Sequence, residues 1–251
     1  MTILEYIKKE YRNVMEKPPK ERLEYFWEYY KWHAIVTFLI LVAIVQGIVG
    51  IATNKDTVFS GIMLNAKIAV DDEAFLQGFY DRTGIDPKKQ EAAFFADITM
   101  TDDPSDHNTT TFQRIMAGIS VKDTDFIIGP SEPFKFCAYN SNRIFTDLRE
   151  YLDAETLEKF AAEDRIYYVE GTILDLLNAP IGTSINVNTL TYPDPKKPEL
   201  MENPIPVAIE ITDRTALQNA YYRNEPVLYF GMVANTQRKD LVIDFLAYLF
   251  S

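Results

Sequence analysis

The chain has 251 residues, with 25 basic and 37 acidic side chains, a formal net charge of −12 and 47% hydrophobic residues. So acidic a surface repels nucleic acid and anionic lipid, which argues against both as partners of the larger part of the chain. A single cysteine, Cys137, excludes an intramolecular disulfide framework and suits an extracytoplasmic bacterial domain better than a secreted eukaryotic one.

Residues 2–15 carry Leu4, Ile7, Tyr11, Val14 and Met15 at helical spacing, with Lys8, Lys9 and Arg12 elsewhere on the wheel. This predicts a short helix on an inner leaflet; the plainer alternative is a helix docked on a cytoplasmic partner, or frayed. Pro18-Pro19 ends it. A second helix is expected from about Lys20, running straight into the stretch Ala34–Ala52.

That stretch is 19 residues long and apolar except for Thr37 and Gln46. As a helix it covers roughly 28 Å, close to the ~30 Å hydrocarbon core of a bilayer. It lacks the polar stripe of a helix half-buried in a soluble domain. Tyr25, Phe26, Trp27, Tyr29, Tyr30 and Trp32 crowd its N-terminal flank, where aromatic rings suit a membrane interface. A cleaved signal would need a far shorter leading region, although Gly50-Ile51-Ala52 resembles a cleavage triplet. Seven basic residues precede the stretch, and only Lys55 and Lys67 come soon after it. The positive-inside rule therefore predicts a cytoplasmic juxtamembrane tail (1–33), a transmembrane helix (34–52) and an extracytoplasmic α/β domain (54–251). Ala43, Gln46, Gly47 and Gly50 recur on one side of the helix and form a candidate packing face. The expected partners are the bilayer and, on that face, a second copy or another membrane protein; lipid alone is the remaining alternative.

Beyond the anchor, strand-like and helix-like patterns alternate. Strands are predicted at 57–70, 92–100, 125–129, 165–169, 207–211 and 227–233. Between them Phe75, Leu76 and Phe79 mark a helix capped by Asp71-Asp72, and Phe112, Ile115, Met116 and Ile119 mark another. Ser131 is a candidate cap for a third helix. Leu148, Tyr151 and Leu152 suggest a fourth, and Leu157 and Phe160 a fifth, capped by Asp153. A Pro-rich irregular stretch comes after residue 169, and Leu241, Phe245, Tyr248 and Leu249 form the last helical face. The expected fold class is α/β, a sheet with helices on both faces.

The chemistry that short motifs carry is missing: no HExxH, GxSxG, P-loop or GxGxxG occurs. His33 falls at the membrane edge and His107 in a polar loop. Cys137 lies on an apolar helical stretch and reads as core. Asp97, Asp102, Asp103 and Asp106 could attract calcium, but Pro104, His107 and Gln113 break an EF-hand pattern from Asp102. Asn108-Thr109-Thr110 matches a glycosylation acceptor, a match with little meaning in a bacterium. No cofactor or metal is expected. A carboxylate-based cell-wall enzyme is the catalytic alternative, with no acidic pair marked for it.

The segment 111–152, with Ala117-Gly118, Asp125, Phe126-Ile127-Ile128, Phe134, Tyr139 and Phe145-Thr146-Asp147-Leu148, resembles the first lobe of bacterial extracellular solute-binding proteins. The tail 227–250 resembles that family's return to its first lobe. The resemblance implies a binding module, reduced because the residues between Tyr151 and Ile211 are too few for a second lobe. The expected function is a membrane-tethered, non-catalytic binding or scaffold module; an accessory subunit of a membrane complex, such as a transporter, is the alternative. In open α/β sheets ligands sit beyond the carboxyl ends of strands. That places a small-molecule ligand or partner surface at Asp97, Thr99, Gly129 and Ser131.

Overall fold

A computed structural model describes residues 3–67, 72–101, 106–139, 143–179 and 190–251. The chain divides into two compact units, Met1–Asn54 and Lys55–Ser251.

The first unit is helical. α1 (Ile3–Met15) precedes α2 (Pro19–Thr53), whose Pro19 stands in the first turn, where a missing N–H costs nothing. At 35 residues α2 is roughly 52 Å long. α1 folds back along the first part of α2. The Tyr25 hydroxyl donates to Glu10 (3.1 Å), the Arg22 guanidinium reaches Met15, and Lys17 lies over the Tyr25 ring. The helix expected to lie on an inner leaflet is thus one arm of a helical hairpin.

The second unit is built on six strands: β1 (Asp56–Met63), β2 (Gln90–Phe95), β3 (Phe126–Pro130), β4 (Ile166–Glu170), β5 (Pro204–Glu210) and β6 (Leu228–Met232). Their order in the sheet is β2-β1-β3-β6-β5-β4. β1 pairs with β2 and β3 in parallel; β6 is antiparallel to β3 and β5, and β4 is antiparallel to β5. Register explains the core. Met63, Ile128, Phe230, Ile209 and Ile166 stand abreast across five strands, all buried on one face. Ile62, Ile127 and Tyr229 belong to the other face.

Helices cover both faces. α3 (Asp72–Thr83), α6 (Ala154–Ala162) and α9 (Lys239–Leu249) bring Phe75, Phe79, Phe160 and Phe245 to the first face. Phe245 stacks on Phe126 at 4.8 Å between ring centres. A side chain at Gly61 would collide with the Phe126 ring at 2.0 Å, so glycine lets that ring lie against β1. α4 (Asp106–Ser120), α5 (Ser131–Ala138) and α7 (Gly171–Leu177) cover the second face. α8 (Thr215–Leu217) leads into a π-type turn, Gln218–Tyr222.

Several expectations change. β1 ends at Met63 because Asn65 turns out of the strand at φ 57°. β2 ends at Phe95, and residues 96–101 are irregular. The helical segment expected at Leu148–Leu152 is a single 3-10 turn, Leu148–Glu150, capped by Asp147. Ser131 is the first residue of α5 rather than its cap; Pro130 holds the cap position with no side-chain bond. Asp153 does cap α6, accepting from the Thr156 N–H at 2.8 Å. Asp71 lies outside the described residues.

Candidate functional site

Two features stand out in this fold. The first is the Lys31–Gly50 part of α2, 20 residues with a mean hydropathy of 2.3 and none of it buried. It is long and apolar enough to cross a membrane, and a soluble core helix of that composition would be covered. Ala43, Gln46, Gly47 and Gly50 are all exposed, and nothing lies within 4 Å of a side chain added at Gly47 or Gly50. The small-residue face is therefore open.

The second is the end of the sheet where β2, β1 and β3 finish side by side. β1 leads to α3 on one face, and β3 leads directly to α5 on the other. The two loops part between β1 and β3, the arrangement of a topological switch point. Asp97 and Thr99 come after β2, and Gly129 and Ser131 lie at the end of β3, with β1 between them. Strand spacing separates the two pairs by about 10 Å. Asn65 bridges part of that gap: its amide and carbonyl oxygen bond both the Met100 carbonyl (2.8 Å) and the Met100 N–H (2.7 Å).

Among the described residues, side chains pack into the switch point. Leu64 is fully buried against Gly129, where an added side chain would stand 3.0 Å from it. The Tyr222 hydroxyl donates to the Ile128 carbonyl at 3.2 Å, and the Lys67 N–H to the Tyr221 carbonyl at 2.6 Å. Asp97 is exposed and paired with Arg114 at 2.9 Å. The Thr99 carbonyl accepts from Thr111. A hollow of about 150 Å³ lies between α4 and the strands, lined by Ile62, Phe95, Arg114, Gly118 and Thr124, and takes in none of the four predicted residues. A larger one, about 380 Å³, is lined by Phe75, Arg214, Leu217 and Tyr248 and takes in none of the four predicted residues.

Two buried carboxylates lie outside the predicted site residues. Asp125 is fully buried and accepts from the Ser60 N–H (2.8 Å), the Thr236 hydroxyl (2.5 Å) and Arg238 Nε (2.9 Å). It ties β1 to the loop between β6 and α9. Asp125 and the tail belong to the two segments that carry the family resemblance, so part of that pattern is a packing device. Glu170 caps α7 and accepts from the backbone of Thr172, Glu202 and Asn203. Burial pushes its carboxyl up, but those backbone N–H groups more than offset this and hold it below the usual range. Asp125 entered the sequence reading only through the family resemblance and Glu170 not at all, because most of their partners lie tens of residues away.

Near the C-terminal helix, Arg165 and Arg214 share Asp213 and hold its carboxyl well below the usual range. Burial pushes the Cys137 thiol up to about 12, so it is a protonated core group at neutral pH. No three His, Cys, Asp or Glu side chains form a metal cluster among the described residues. Asp102 and Asp103 lie outside those residues, as do the side chains of Asp106, His107 and Asn108.

The chain matches no protein-family model, no curated protein and no solved structure.

Proposed function

We propose that the chain is a membrane-tethered, non-catalytic scaffold or binding module, with residues 1–33 in the cytoplasm, 34–52 in the bilayer and 54–251 outside. The observation that carries this is the uncovered Lys31–Gly50 helix. Its exposed apolar side chains are costly next to water, at roughly 1.5–3 kcal/mol for each large one that could instead be buried. The seven basic residues before Ala34 set its direction. Protease added to intact protoplasts should remove the α/β unit and leave a protected N-terminal tag. A protected α/β unit overturns the orientation, and a chain found in the soluble fraction overturns the anchor.

The α/β unit is read as a reduced solute-binding-like lobe. The return of β6 and α9 to the middle of the sheet supports it, as does the switch point between β1 and β3. Leu64 and Tyr222 fill the described part of the switch point and bury Gly129, which favours a protein partner on the exposed Asp97 and Thr99, beside Ser131. Co-purification from membranes should yield a partner lost in an Asp97→Lys, Thr99→Arg variant. A small molecule that raises the melting temperature of both native and variant chains would overturn the partner reading.

A further inference from the structure

We infer that the N-terminal hairpin is an assembly surface for further copies of this chain, α1 of one copy seating on α2 of the next. The inference rests on the anchor reading, because a shared membrane holds neighbouring copies parallel and at one height.

The hairpin carries two stripes of charge. On α1 they are Glu5, Lys8, Arg12 and Glu16, spaced three or four residues apart along one side. On α2 they are Lys20, Glu24, Glu28 and Lys31, spaced in the same way. The helices meet through Glu10 against Tyr25, with Glu10 on the far side of α1 from Lys8 and Arg12, while Met15 reaches Arg22 at the turn end of the hairpin. Those ties also fix the heights. Glu5 is about level with Lys31, Lys8 with Glu28, Arg12 with Glu24, and Glu16 with Lys20. Every level matches a negative charge with a positive one.

Within one chain each stripe puts two like charges side by side at its middle. Lys8 and Arg12 are like charges at i, i+4, and so are Glu24 and Glu28; such pairs destabilise a helix. None of the four has an ion-pair partner among the described residues. A neighbour's stripe at the same height relieves both repulsions.

Shape agrees with charge. Lys8, Tyr11, Arg12 and Met15 line a shallow hollow of about 420 Å³ on α1. Its height is that of Leu23 and Trp27 on α2, which are 72% and 66% exposed. A neighbour's Leu23 and Trp27 would fill the hollow while Glu24 and Glu28 meet Arg12 and Lys8. The two stripes lie on opposite sides of the hairpin, so the contact is head-to-tail and builds rows or rings rather than closing as a simple dimer.

The test uses the full chain in a bacterial membrane, with donor and acceptor fluorophores on separate N-terminally tagged copies. Energy transfer should fall at least five-fold in Lys8→Glu, Arg12→Glu and in Glu24→Lys, Glu28→Lys; both exchanges keep good helix formers. Mixing the two variants, or combining all four substitutions in one chain, should restore it. Native-level transfer in either single-stripe variant overturns the inference, as does failure of the mixture to recover. A native chain without transfer, yet retained in alkali-washed membranes, overturns the inference and leaves the anchor standing. A native chain released by alkali overturns both.

Discussion

The two units use the same residue types in opposite ways. In the α/β unit Phe126, Phe230 and Phe245 are completely enclosed by one another and by the sheet. In the helical unit Phe38, Ile40 and Ile48 are each more than half exposed. The first arrangement is complete in itself: each strand row meets a helix that covers it. The second leaves the apolar part of α2 uncovered. An α/β unit can be explained from its own contacts; the helical unit is defined by its surroundings, and that is where the function we propose resides.

This contrast can be broken most strongly at α2. Leu41→Arg together with Ile44→Arg places two charges near the middle of the apolar stretch, at about 2.5–3.5 kcal/mol each for membrane insertion. The chain should move to the soluble fraction, while urea unfolding of the α/β unit keeps its midpoint. A common shift in both would mean that the units are not independent. Asp125→Ala tests the other side of the comparison. It leaves Arg238 without its buried partner and should cost about 3–5 kcal/mol in urea unfolding, with membrane fractionation unchanged.

Smaller effects sharpen the picture. Gly47→Ile should weaken association of the isolated α2 stretch in a membrane-pairing assay by on the order of 0.6–2 kcal/mol. An unchanged signal would leave the Ala43–Gly50 face to lipid. The smallest effect is a pH dependence. The folded Glu170 carboxyl titrates below its unfolded value of 4.5, so its stabilisation is complete above that pH and fades as pH falls through the folded value. Glu170→Gln should lower stability at neutral pH by about 1 kcal/mol and flatten the acid limb below pH 4.5 in a thermal melt.

What could be read in the sequence was local. The uncharged run after Trp32 and the Pro18-Pro19 break gave the two helices of the first unit to within a few residues. Short apolar runs such as Phe126-Ile127-Ile128 marked strands, and Asp153 marked a helix start. What could not be read depends on distant residues. α7 has only seven residues, too few for a periodic signal, and Glu170 anchors its start through Glu202 and Asn203. The end of β1 depends on Asn65, whose amide group bonds Met100. Of the candidate site, the end of β3 was located to within a residue, whereas β1 and β2 end earlier than the pattern suggested, and nothing local announces that Leu64 and Tyr222 pack between β1 and β3.

The position of β6 has a consequence for how the protein is made. β6 joins β3 to β5, with Phe126 beside Met232 and Ile209 beside Phe230, and it is the last strand to be synthesised. Until it emerges, β2-β1-β3 and β5-β4 are two separate half-sheets, each with an open edge of unpaired backbone. The join spans about a hundred residues, and such distant pairings close slowly. A ribosome or an export channel therefore delivers nearly the whole unit in an open, aggregation-prone form, so a chaperone that shields strand edges during that interval should raise the yield of folded protein.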